Sequence, residues 1–205
     1  AIQLRRKMLE SPGRITDAEF ETLIDLYDSE IAYVDEQVER LIDTLQTEWD
    51  SDLVIAFTAD HGEEFLDHGE FSHGATFHDE VIHVPLFVET GGEGGGENDD
   101  LVGLMDLAPT LAYTANVERP EIYRGHPLGQ EDDRPNRSEV IAEWADTDTD
   151  DSRFAIRTEN WKYIRAENGN EQLYDLQSDP SEQKDLAAGS PEELFKLRQR
   201  LADHL

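Results

Sequence analysis

Residues 53–73 read LVIAFTADHGEEFLDHGEFSH, an apolar run that breaks into acids, glycines and histidines. Leu53 to Phe57 is short, continuously apolar and carries β-branched and aromatic side chains, which predicts a strand buried on both faces. It ends in Thr58-Ala59-Asp60-His61-Gly62. In open α/β sheets, ligands gather outside the carboxyl ends of the strands, where backbone polar groups are free. An Asp and a His side by side at that position make half of a candidate metal site.

Upstream, Thr16-Asp17-Ala18-Glu19 has the form of a capping box, in which a hydroxyl and a carboxylate satisfy each other's orphan backbone donors. From there Phe20, Leu23, Ile24, Tyr27, Ile31, Val34, Val38, Leu41, Ile42 and Leu45 recur at helical spacing. This predicts one long amphipathic helix to about Thr47, laying its apolar stripe on a sheet. Downstream, a helical turn over 77–82 leads into a second buried strand over 84–88. The succession of helix, strand, short helix and strand predicts an α/β fold, part of a mostly parallel sheet flanked by helices. Met105 to Thr114 reads as a turn into a helix, with Pro109 near its start.

Past Gly125 the character changes. Residues 140–144, 154–157, 161–165 and 172–176 alternate in polarity between Asp, Asn and Gly turns, predicting a small antiparallel sheet. Residues 191–205 predict a closing amphipathic helix with Leu194, Leu197, Leu201 and Leu205 on one stripe. The chain is therefore expected to divide into 1–125, part of an α/β core, and 126–205, a small carboxy-terminal α+β subdomain.

The chain carries 17 basic and 48 acidic residues, a formal charge of -31. No basic stripe exists to displace counterions, which argues against nucleic acid and against an anionic membrane surface. Only Lys7, Lys162, Lys184 and Lys196 are lysines, and this balance looks like adaptation to high salt, where self-repulsion is screened. The absence of cysteine excludes a disulfide frame and a thiolate metal site. No apolar run approaches the ~18 residues of a transmembrane helix. Residues 1–10 lack the continuous apolar core of a secretion signal, and because the segment that would show export is expected outside this chain, the cytoplasm is a default location only. The chain begins without Met, inside helical sequence, as a piece of something longer would.

Two tempting loops are set aside. Gly91-Gly92-Glu93-Gly94-Gly95-Gly96 lacks the Lys-Ser/Thr and the helix of a phosphate cradle and reads as a flexible surface loop. Asp146 to Asp150 resembles a calcium loop, but its sixth and twelfth positions are Asp151 and Arg157 instead of Gly and Glu.

Five of the seven histidines lie between His61 and His83, and His61, His68 and His73 each precede a glycine. Imidazole is a poor core filler, whereas neutral imidazole and carboxylate are common ligands of divalent ions. Taken singly, His68 and His78 fit a surface or supporting position better than a ligand, and His83, in Ile82-His83-Val84-Pro85, fits a packing or hydrogen-bonding one.

Together these blocks resemble a known family. Thr58-Ala59-Asp60-His61-Gly62-Glu63, Asp67-His68-Gly69-Glu70-Phe71-Ser72-His73-Gly74 and Asp79-Glu80-Val81-Ile82-His83-Val84-Pro85-Leu86 are similar to the carboxy-terminal half of the sulfatases, in the alkaline phosphatase superfamily. Leu104 to Leu111, Gln172 to Leu176 and Asp179 to Ala187 continue the match in order, as does Tyr33 to Val38. The acid-rich composition makes the resemblance haloarchaeal-like. It implies that Asp60 and His61 are metal ligands of one divalent ion, commonly Ca²⁺, with Mn²⁺ frequent in related phosphonate and phosphodiester hydrolases. It also implies a catalytic role for His73, at a position where many relatives have a lysine that touches the sulfate and others, like this chain, have His-Gly.

The family's nucleophile is a formylglycine made from Cys or Ser in a Cys/Ser-x-Pro-x-Arg motif. The partial match Glu10-Ser11-Pro12-Gly13-Arg14 has Glu where that residue belongs. Formylglycine and the first metal aspartates are therefore expected outside this chain, in the missing amino-terminal half of the same protein. The resemblance implies a small-molecule or saccharide sulfate ester as substrate, with the chain alone inactive. The alternatives are a phosphonate monoester or phosphodiester hydrolase of the superfamily, and a non-catalytic truncated module.

Overall fold

The computed structural model describes residues 2–49, 53–74, 76–89, 95–128, 137–146 and 151–205. The loop readings for Gly91 to Gly94 and for residues 147–150 fall outside them. The chain divides into two compact units, Ala1–Leu53 with Glu64–Ser72, and Val54–Glu63 with His73–Leu205.

In the first unit α1 (Ile2–Glu10) leads through a tight 3₁₀ turn into α2 (Asp17–Glu48). The capping box is formed: Glu19 N–H donates to Thr16 Oγ1 at 3.3 Å, and Thr16 N–H donates to the Glu19 carboxylate at 3.0 Å. Lys7 ties α1 to this cap at 2.6 Å. The hydrogen bonds from Lys7 and Thr16 hold the Glu19 carboxyl down at about 2. Two short strands, β2 (Glu64–Phe65) and β3 (Phe71–Ser72), form a hairpin whose Phe65 ring sits edge-on to Tyr27 at 5.1 Å and to Phe71 at 5.7 Å. The stripe of α2 is not seated on a sheet as expected. Leu23 is buried, while Ile31, Val34 and Leu41 are 55%, 47% and 58% exposed. Among the described residues of this unit the only strands are β2 and β3, too short to cover more than the turns around Phe20 and Tyr27.

The second unit holds β1 (Ile55–Thr58), α3 (Asp79–Ile82), β4 (Leu86–Glu89), α4 (Leu107–Thr114), strands β5 (Val140–Asp146), β6 (Asp151–Arg157), β7 (Trp161–Ala166) and β8 (Glu171–Asp175), and α5 (Pro191–His204). The first two strands correct the expected topology. β1 and β4 pair antiparallel, Ile55 opposite Glu89 and Thr58 opposite Leu86, and no parallel pair occurs among the described residues. A parallel return needs a crossover that carries the chain back along the sheet, usually a full helix. Between β1 and β4 the described residues hold the β2–β3 hairpin and the four-residue α3, and no full crossover helix. Nor are the strands buried on both faces, since Phe57 is 37% and Phe87 67% exposed.

The small antiparallel sheet and its helix are present. Strands β5 to β8 form a meander in sequence order. Side chains alternate between its faces. Ile156, Tyr163 and Leu173 pack with Leu194, Leu197 and Leu201 of α5, whereas Leu205 lies 58% exposed past the end of that stripe. On the other face Ala155, Ile164 and Tyr174 pack with Leu176 and with Phe77, from the segment that leads into α3. That face anchors the chain segment on which the candidate site rests.

Candidate metal site

The site begins with a glycine. Gly62 N–H donates to Val81 O at 2.8 Å, and a Cβ at Gly62 would stand 2.0 Å from Glu80 O. No other residue allows that approach, so Gly62 fixes the loop after β1 against α3.

The preceding pair is oriented by its own backbone. His61 N–H donates to Asp60 Oδ1 at 3.0 Å. His61 Nδ1 lies 2.9 Å from Gly62 O, and because a carbonyl only accepts, Nδ1 is the protonated nitrogen. The lone pair of a neutral His61 is then on Nε2, which lies 3.7 Å from Asp60 Oδ2. One ion about 2.0–2.6 Å from each of two such donors fits that separation.

His73 joins them. Its ring lies over that of His61, centroids 3.9 Å apart and tilted by 30°. Its Nδ1 is 2.9 Å from Glu63 Oε2, and a carboxylate also only accepts, so Glu63 sets the ring's orientation. Ligand atoms of His61, Glu63 and His73 all lie within 4.8 Å of one another, a set that could hold a divalent metal. The expected residues Asp60, His61 and His73 are thus gathered in one place. Glu63 was not singled out from sequence, although an acid two residues after His61 was the available signal.

The other histidines lie elsewhere. His68 N–H donates to Glu64 within the hairpin of the first unit. His78 is 3% exposed, with Nε2 3.2 Å from the Tyr174 hydroxyl. His83 has an exposed side chain whose nearest acid is Asp79 at 3.9 Å.

Beneath α3 is a charged cluster. Lys162 on β7 is fully buried and contacts both Asp79 and Glu182, the latter at 2.7 Å. Asp79 N–H, at the start of α3, donates to Glu182 Oε2 at 2.7 Å, and Arg157 approaches Asp79 at 3.5 Å. Burial pushes the Asp79 carboxyl up, but Lys162 and Arg157 together outweigh it and hold it lowered. For Glu182 burial prevails over Lys162 and the carboxyl is raised. A second buried acid, Asp106, accepts from Gly103 N–H at 2.9 Å and His126 N–H at 2.7 Å and pairs with Arg137 at 2.5 Å. This gives the Asp-Leu-Ala-Pro-Thr block a structural role. An open groove of about 2170 Å³ runs from His61 and His73 past Arg157 to Trp144.

The sulfatase family model matches residues 8–117, and the model described as N-sulphoglucosamine sulphohydrolase, C-terminal, matches residues 67–205. The chain belongs to the sulfatase family. Arylsulfatase K of Homo sapiens is 28% identical over 204 residues, covering 92% of this chain and 38% of that protein. The phosphonate monoester hydrolase of Agrobacterium radiobacter superposes over 93% of this chain and 43% of its own, with a TM-score of 0.74 and 28% identity. A protein solved in complex with its substrate D-glucosamine-2-N,6-O-disulfate superposes over 98% of this chain and 44% of its own, with a TM-score of 0.74 and 20% identity, a likeness of fold. The chain thus spans less than half the length of each of these proteins. Among the described residues no helix is long and apolar enough to cross a membrane.

Proposed function

We propose that this chain is the carboxy-terminal part of a metal-dependent hydrolase that cleaves sulfate esters. The observation that carries the reading is the pair Asp60 Oδ2 and His61 Nε2, 3.7 Å apart, with the backbone fixing both the carboxylate and the tautomer. In this reading Asp60 and His61 hold one divalent ion, Ca²⁺ by preference and Mn²⁺ as the alternative. When bound, the ion polarises the oxygens of the transferring group and activates the nucleophile. The formylglycine nucleophile belongs to the amino-terminal half, so the chain alone does not turn over.

The roles of the chain's own residues follow from their positions. Asp60 and His61 present an oxygen and a nitrogen to the ion. Glu63 accepts from His73 Nδ1–H, and the protonated imidazole then presents Nε2–H to the sulfate and stabilises negative charge as it develops. The groove beside them accommodates the rest of a small-molecule or saccharide sulfate ester. Residues 1–125 contribute to the α/β core and 126–205 form the carboxy-terminal subdomain. The acid excess fits a salt-loving source, and the cytoplasm stays the default location.

Two measurements test this. Titrating the 205-residue chain with Mn²⁺ should broaden the His61 imidazole resonances, and Asp60→Asn should abolish the effect; equal broadening in the variant would remove Asp60 from the site. On the full-length protein, a panel of sulfate and phosphonate esters should favour sulfate, with His73→Ala lowering kcat by about 10²-fold or more. A phosphonate preference would support the second reading, a phosphonate monoester hydrolase, which the 0.74 TM-score and 28% identity to such an enzyme favour.

A further inference from the structure

The fully buried lysine does not touch the candidate metal site, yet a short chain of contacts joins them. Lys162 leaves β7 on the same face as Ile164 and reaches Asp79 and Glu182. Glu182 adopts a left-handed backbone, φ 53°, a conformation that non-glycine residues rarely take. Its carboxylate joins Lys162 through Oε1 and accepts the Asp79 N–H through Oε2. The first turn of α3 is therefore held from below by both its side chain and its backbone. Two residues on, Val81 O accepts Gly62 N–H at 2.8 Å, and Gly62 O accepts from His61 Nδ1 at 2.9 Å.

Packing restrains α3 in part, since Val81 is buried and Ile82 lies against the sheet's core. The segment before it is anchored by Phe77 in the sheet's core and by His78 on Tyr174, both upstream of the helix. A helix of four residues has one turn of internal hydrogen bonds and little stiffness of its own. Its rotation decides where Val81 O points, and so where the His61 ring is held. To that apolar packing the Asp79, Lys162 and Glu182 cluster adds directional contacts on the helix itself.

We propose that Lys162, with Asp79 and Glu182, is a positioning residue: it sets the orientation of α3 and through Gly62 fixes the His61 imidazole for the ion. The idea rests on the metal reading of Asp60 and His61 for its consequence, but its first link can be tested without metal. Groups that orient metal ligands in this manner typically change affinity 10–100-fold when removed.

The test uses Lys162→Met and Lys162→Arg in the 205-residue chain, with amide exchange at Ile156, Tyr163 and Leu173 as the control for an intact sheet. With the sheet intact, Lys162→Met should lose protection at the Gly62 amide and need at least about tenfold more Mn²⁺ to broaden His61. Lys162→Arg should recover most of both. Unchanged Gly62 exchange in a folded Lys162→Met protein would overturn the proposal, as would loss of Mn²⁺ affinity without loss at Gly62. Should Lys162→Met fail to fold, Glu182→Gln removes the charge while keeping an acceptor for Asp79 N–H, and the same two outcomes decide. If the parent chain shows no Mn²⁺ effect, the metal reading fails, while the Gly62 exchange still decides the role of Lys162.

Discussion

Replacing Gly62 by Ala should be among the most damaging single-methyl additions in this chain. The new Cβ would lie 2.0 Å from Glu80 O, 3.1 Å from its carbonyl carbon and 3.5 Å from Val81 Cα. All three are backbone atoms, so no side chain can swing away. Relief requires the loop or α3 to move by about 1 Å or more, which stretches the Gly62 N–H bond to Val81 O beyond hydrogen-bonding range. Overpacking costs about 1–3 kcal/mol and the lost hydrogen bond about 0.5–1.5 kcal/mol. The sum, about 1.5–4.5 kcal/mol, lowers the melting temperature of a domain this size by roughly 3–18 °C. Urea unfolding followed by tryptophan fluorescence, with Gly13→Ala as the comparison because nothing lies within 4 Å there, measures it. A Gly62→Ala protein within about 1 kcal/mol of the Gly13→Ala protein would refute the steric account.

In the core, Leu201→Ala should cost about 2–5 kcal/mol because Leu201 is fully buried, while Leu205→Ala, at an exposed position, should change little; thermal melts compare them. Raising salt from about 0.1 M to about 1 M shortens the screening length from about 10 Å to about 3 Å, so the melting temperature of a chain with charge -31 should rise, and a flat or falling response would count against self-repulsion as its main strain. Acid sensitivity should depend on Asp79. Its lowered carboxyl gives stability that is present above the ordinary value near 4 and is lost as pH falls through the folded value. Asp79→Asn should therefore be less stable at pH 7 and show a shallower loss below about pH 4 in melts across that range. The raised Glu182 carboxyl works in the opposite sense, since the folded state takes up its proton first, and Glu182→Gln should remove that opposing slope.

What the sequence revealed depended on how local the cause was. The Thr16 and Glu19 cap, the four strands of the meander and the leucines of α5 each rest on neighbours a few residues apart, and each lies where its pattern predicts. The direction of β4 against β1 has no such signature, because apolar runs read alike in either orientation. The site was half legible. Asp60, His61 and His73 stood out by residue type and by the glycines beside them, whereas Glu63 was one acid among 48. Lys162 was the hardest to read. A lysine in a strand ordinarily points to solvent, and its burial follows only from two acids that arrive from distant parts of the chain.

The meander also has a kinetic meaning. Each of its strands pairs only with the strand next in sequence, so its contacts close short loops and form quickly. The clamp on α3 closes much larger ones, 83 residues from Asp79 to Lys162 and 103 from Asp79 to Glu182. Refolding should therefore assemble residues 140–175 first and lock the histidine loop last. Substitutions among Ile156, Tyr163 and Leu173 should slow folding, while those at Lys162 or Glu182 should leave its rate nearly unchanged and speed unfolding.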